Sequence, residues 1–143
     1  MSAYLTSWFG RIGRIWPVEM GGRSYVWVEE DTASGAEYAV LHHYFRGLWY
    51  RAEGFVLQDP ALHDIEVEPV YGEIDKVGYP YNQHGAALLV IEQDDRFRYW
   101  LLYLRENDSW VVTQEFRVQL YVLEDDSMEG ESLNDRSDIA DDE

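Results

Sequence analysis

Cysteine is absent from the chain, and with it go disulfides, thiolate nucleophiles and every cysteine-based zinc site. Lysine is almost absent: the basic residues are ten Arg and the single Lys76. No apolar run approaches the ~18–20 residues that a membrane-spanning helix needs. The first residues lack the basic start, apolar stretch and small-residue cleavage site of a secretory signal. Together with the lack of disulfides, this sets the expectation of a cytoplasmic protein without membrane contact.

Catalytic and cofactor signatures are missing as well. Gly10-Arg11-Ile12-Gly13 is too short for a dinucleotide-binding turn, and neither a phosphate-binding loop nor a nucleophile elbow occurs. The four histidines, His42, His43, His63 and His84, follow no metal-ligand spacing. With 28 acidic residues, carboxylate pairs arise anywhere, so no pair is selected as an acid and base. The expectation is a non-enzymatic protein with no metal and no cofactor.

What is abundant is negative charge and aromatic surface. The net charge is −17, and residues 124–143 account for −9 of it, leaving −8 on residues 1–123. Such a surface repels phosphate backbones, which speaks against direct nucleic-acid binding. The 6 Trp, 11 Tyr and 5 Phe supply ample core material, since each buried aromatic removes ~150–250 Å² from water.

Strand signals dominate from residue 24 onward. The stretches 24–30, 38–45 and 48–57 are β-branched and aromatic, separated by turn-forming residues. Asp59-Pro60 opens a short turn over 60–64, and 65–74 alternates apolar and acidic residues as a half-buried strand does. The runs 86–91, 97–104 and 110–123 follow at short intervals and define an antiparallel meander. In the last of them Trp110, Val112, Phe116 and Val118 are expected on one face, and Thr113, Glu115, Arg117 and Gln119 on the other.

Over 4–16 the apolar positions recur at helical spacing, predicting a short amphipathic helix, with an extended edge segment as the alternative. No internal repeat stands out. The fold expectation is therefore a mainly β domain over 1–123: an antiparallel, strongly curved sheet or small barrel of about seven strands, with one short N-terminal helix and an α+β domain as the alternative. Residues 124–143 read as a disordered acidic tail, because so little apolar surface cannot offset the entropy of ordering.

Two function classes follow. Carboxylates on a compact body complement a basic protein surface, as in an inhibitor, immunity protein, adaptor or nucleic-acid mimic. Alternatively, the aromatics line a small-molecule pocket inside a β-barrel. The candidate binding residues are Tyr79, Tyr81, Asn82 and His84, in a predicted loop over 75–85, with Tyr99 and Trp100 as exposed strand aromatics. Self-association into a homo-oligomer is left open.

Overall fold

The computed structural model describes residues 2–62, 67–81 and 87–120. Eight antiparallel strands follow one another: β1 (Arg11–Met20), β2 (Arg23–Asp31), β3 (Glu37–Phe45), β4 (Leu48–Gln58), β5 (Glu73–Pro80), β6 (Ala87–Gln93), β7 (Phe97–Glu106) and β8 (Ser109–Gln119). Each strand pairs with its sequence neighbour, giving one sheet in the order β1 to β8. The sheet curls so strongly that β1 and β8 approach each other without forming a ladder. A 3₁₀ turn over Pro60–Leu62 follows β4, as Asp59-Pro60 implied. No α-helix occurs among the described residues, and none of them forms a helix long and apolar enough to cross a membrane.

The inner face holds one core. Trp27 and Trp100 stack with centroids 6.0 Å apart and planes within 6°, and Phe55, Phe116, Leu41, Leu89, Ile91 and Leu102 fill the space around them. Burial of this kind supplies the bulk of folding free energy. The outer face is buried too, which explains why β6 reads as a continuous apolar run. Leu89 and Ile91 point into the inner core, while Leu88 and Val90 join Val77, Leu101 and Tyr103 in a second cluster on the outside.

That outer cover comes from two straps, and they reveal an internal repeat that was not apparent in the sequence. In the first strap the amides of Trp8, Phe9 and Gly10 donate to Oε1 of buried Glu30 at 3.0, 2.7 and 2.9 Å. In the second, the amides of Val70, Tyr71 and Gly72 donate to Oε1 of buried Glu92 at 3.1, 2.7 and 3.0 Å. Phe9 stacks on Tyr38 at 4.1 Å, and Tyr71 on Tyr99 at 4.5 Å. A Cβ on Gly10 would run into the carbonyl oxygen of Asp31, and one on Gly72 would lie 2.6 Å from that of Gln93. Register shifts fall at Ile12/Arg14 and Ile74/Lys76, then at Leu41/His42 and Leu102/Tyr103. Strands β1–β4 and β5–β8 are thus two copies of one four-stranded unit, some 62 residues apart. The repeat escapes the sequence because what recurs is a set of contacts: Gly10/Gly72, Glu30/Glu92, Tyr38/Tyr99, Trp49/Trp110 and Phe55/Phe116 are among the few matched residue pairs.

Several expectations are corrected by this architecture. Eight strands replace about seven. The stretch 4–16 forms no helix: residues up to Gly10 belong to the strap and β1 begins at Arg11. Two glycines, β-branched Ile12 and Ile15, and Pro17 all disfavour a helix, and a strap followed by a bulged strand reproduces the apolar spacing by coincidence. Residues 67–72 are strap, not strand, and β5 occupies 73–80, so most of the predicted 75–85 loop is strand. In β8 the bulge opposite Leu102/Tyr103 turns the strand over. Trp110 and Val112 pack in the outer cluster, whereas Phe116 and Val118 belong to the inner core. The last strand ends at Gln119, and both the residues assigned to it beyond 120 and the tail over 124–143 lie outside the described residues.

Candidate functional site: an acidic rim

An antiparallel meander brings alternate strand ends to the same rim. At one rim the end of β2, the start of β3, the start of β5 and the β6–β7 turn gather Asp31, Glu37, Glu73, Asp75, Asp94 and Asp95. The pairing of Glu73 with Gln93 sets the β5 start beside the β6–β7 turn. Between them lies an open depression of about 520 Å³ lined by Glu73, Ile74, Asp75, Gln93, Asp94 and Asp95.

The rim's floor is neutralised from within. Arg98, 6% exposed, donates from Nη1 to Gln93 Oε1 at 2.8 Å and to Asp75 Oδ2 at 3.2 Å, and from Nη2 to Glu29 Oε2 at 3.0 Å. Its guanidinium also lies over the rings of Trp16 and Trp100, at 5.1 and 5.7 Å, which suits a weakly hydrated planar cation in an aromatic setting. Lys76 pairs with Glu37 at 3.1 Å and Arg11 with Asp31 at 3.4 Å. A second cavity of about 270 Å³ opens here, lined by Arg14, Glu29, Glu37, Asp75, Lys76 and Arg98 among others. Glu73, Asp94 and Asp95 have no ion-pair partner among the described residues. The amides of Arg96 and Phe97 donate to Asp94 Oδ1, both at 2.7 Å. Those bonds hold its carboxyl below the usual range, so Asp94 itself keeps its charge in mild acid.

The candidates read from sequence scatter. Tyr79 and Tyr81 are partly exposed, at 37% and 50%, and Tyr81 packs its edge on Phe9, 4.5 Å between centroids. Asn82 and His84 lie outside the described residues. Trp100 is fully buried in the inner core and Tyr99 is 7% exposed, its hydroxyl donating to Asp94 Oδ2 at 3.0 Å. Neither forms an exposed aromatic surface. Both lie on strands covered on the two faces, a condition that alternation alone does not reveal. His42 and His43 do point to opposite faces. His42 is buried beneath the first strap, and His43 stacks on Tyr50 at 5.2 Å. Among the described residues no group of three or more His, Asp or Glu is arranged to hold a metal ion.

The class defined by this geometry is an all-β curled meander built from two strapped four-stranded units, with carboxylates massed on one rim. No protein-family model, curated protein or solved structure matches the chain.

Proposed function

We propose that the chain is a non-catalytic interaction protein that docks its acidic rim onto a basic surface of a partner protein. The observation that carries this reading is the open depression at β5–β6, where Glu73, Asp94 and Asp95 form no ion pair among the described residues and Asp75 shares Arg98. A depression of that size accepts one or two arginine or lysine side chains, and fixed carboxylates attract them without reorganisation. The interior of the curled sheet is filled by Trp27, Trp100, Phe55 and Phe116, so the aromatics form core where a ligand-binding barrel would hold its pocket. Both buried carboxylates, Glu30 and Glu92, are engaged by strap amides, which ties them to architecture.

The test begins with affinity capture of the partner, followed by titration of the purified complex with salt. Association should be fast at low ionic strength and weaken steeply as the screening length shortens to ~8 Å at 0.15 M. The triple variant Glu73→Gln/Asp94→Asn/Asp95→Asn should weaken binding at least tenfold while leaving the far-ultraviolet dichroism unchanged. Binding that survives 1 M salt unaltered, or a partner that is itself acidic, overturns the proposal. Competition by duplex DNA or RNA for the same partner site would narrow the class to nucleic-acid mimics.

A further inference from the structure

Between the second strap and β8 lies a further cavity of about 270 Å³, lined by Tyr71, Tyr99, Glu115, Phe116 and Arg117. Its walls are chemically distinct. Tyr71 and Tyr99 stack at 4.5 Å, and the Tyr71 hydroxyl donates to Glu115 Oε1. The Arg117 guanidinium lies 4.8 Å over the Phe97 ring and forms no ion pair among the described residues. The volume falls just below the ~300–1,000 Å³ of pockets that enclose a whole small molecule, and it suits a single ring.

The internal repeat indicates what such a place holds. In the first unit the five lining residues correspond to Phe9, Tyr38, Gly54, Phe55 and Val56. The stacks Phe9–Tyr38 and Tyr71–Tyr99 match. So do the ladder pairs Tyr38–Val56, Ala39–Phe55 and Val40–Gly54 with Tyr99–Arg117, Trp100–Phe116 and Leu101–Glu115. There the chain runs past the end of β5 and brings Tyr81 to the same spot. Its amide donates to the Gly54 carbonyl at 2.9 Å, and its ring meets Phe9 in a T-shaped contact at 4.5 Å. The second unit receives no such ring. Strand β1 stands beside β8 as β5 stands beside β4, but it forms no ladder there, and its residue at the position of Tyr81 is Glu19.

We propose that this cavity seats an aromatic side chain of the partner protein, a tyrosine by preference, presented beside the basic residues that meet the rim. A phenol ring packs on the Tyr71–Tyr99 pair, and its hydroxyl can donate to Glu115 or accept from Arg117. The two sites adjoin: Tyr99 lines the cavity and donates its hydroxyl to Asp94 of the acidic depression at 3.0 Å. One partner segment carrying a ring and a cation therefore reaches both, and a seated aromatic is a common anchor of protein interfaces. The cation half of that segment rests on the reading of the rim; the ring half rests on the repeat.

Titrating the isotopically labelled full chain with uncharged N-acetyl-tyrosinamide isolates the ring. Amide shifts should centre on Tyr71, Tyr99, Glu115 and Arg117 and should persist at 1 M salt. N-acetyl-leucinamide should bind about fivefold more weakly, the preference that aromatic pairing confers. Tyr71→Leu removes a wall of the cavity but keeps the backbone amide that clamps Glu92. It should weaken the tyrosine probe by a similar factor and leave the far-ultraviolet dichroism unchanged. A blocked peptide joining one tyrosine to two arginines should bind more tightly than the single-residue probe at low salt, and no more tightly at 1 M salt. Absence of shifts at those four amides, or equal binding of the leucine probe, overturns the proposal. Arginines that add nothing at low salt overturn the reading of the rim and leave the ring site standing.

Discussion

Three amide hydrogens converging on one carboxylate oxygen is a demanding local arrangement, and the chain builds it twice. Consecutive N–H groups form an anion-binding concavity, here closed by a carboxylate of the same chain. Each bond is charge-assisted, worth about 1.5–3 kcal/mol when the group is buried. Glu92→Gln should therefore cost about 2–3 kcal/mol in urea denaturation, and Glu30→Gln a similar amount, since the two clamps match bond for bond. His42 makes a different kind of prediction. Burial beneath the strap lowers its pKa, and Arg51 adds to the shift, while Glu30 and the backbone of Val40 and Thr6 pull the other way. Unfolded, the imidazole titrates near ~6.5. As pH falls through that value the unfolded chain takes up a proton that the folded chain resists, so stability declines on the acid side. The counterpart residue in the second unit is Tyr103. His42→Tyr should accordingly flatten the fall in melting temperature between pH 7.5 and 5.5. A slope identical to that of the wild-type chain would exclude His42 as its source.

Strands were legible wherever apolar runs met turn-forming residues, and β2, β3, β4, β6 and β7 begin and end within two residues of the expected positions. What the sequence concealed were features that depend on the partner strand. The bulge in β8 exchanges the faces of Trp110 and Phe116, and two-residue alternation cannot record an inserted residue. Phe116→Ala should cost roughly 3–5 kcal/mol, because it opens a hole beside Trp27, whose ring lies 5.7 Å away. Arg117→Ala, on the exposed side, should cost well under ~1 kcal/mol. A reversal of that order in denaturant unfolding would place the bulge on the other side of Phe116. The candidate site was the least legible part. Glu73 and Asp94 are distant in sequence, and only the β5–β6 register brings them to one depression. Composition alone marks the exposed tyrosines, while Tyr99 is covered by Tyr71 of a strap that is not a strand, and Trp100 faces the inner core against Trp27.

At the scale of the molecule, likeness between the halves makes a mismatch at their seams informative. Strand β5 pairs with β4 through Phe55–Pro80, Val56–Tyr79, Leu57–Gly78 and Gln58–Val77. Carried over by the repeat, the same line-up of β8 with β1 would set Arg117 opposite Pro17 and Val118 opposite Trp16, but no ladder forms there. Tyr81 donates its amide to Gly54 at 2.9 Å, and the two-residue period of the ladder directs the amide of Tyr79 towards Val56. Pro17 has no such hydrogen to give, and Trp16 stands where Gly78 lets the strands close to within a Cβ contact of Phe55. The seam is therefore held by side chains alone. That has a consequence for the order in which the molecule assembles. All seven ladders join strands adjacent along the chain, and all but β4–β5, which closes across residues 59–72, do so through short connections. Most of the sheet can thus zip from hairpins, and such low contact order favours rapid folding. Only the β1–β8 seam requires the two ends of the sheet to find each other. Pulsed hydrogen exchange during refolding should protect the amides of β6 and β7 first, with the indole of Trp16 reaching its native fluorescence environment last. If Trp16 instead became native together with Trp100, seam closure would belong to the folding nucleus.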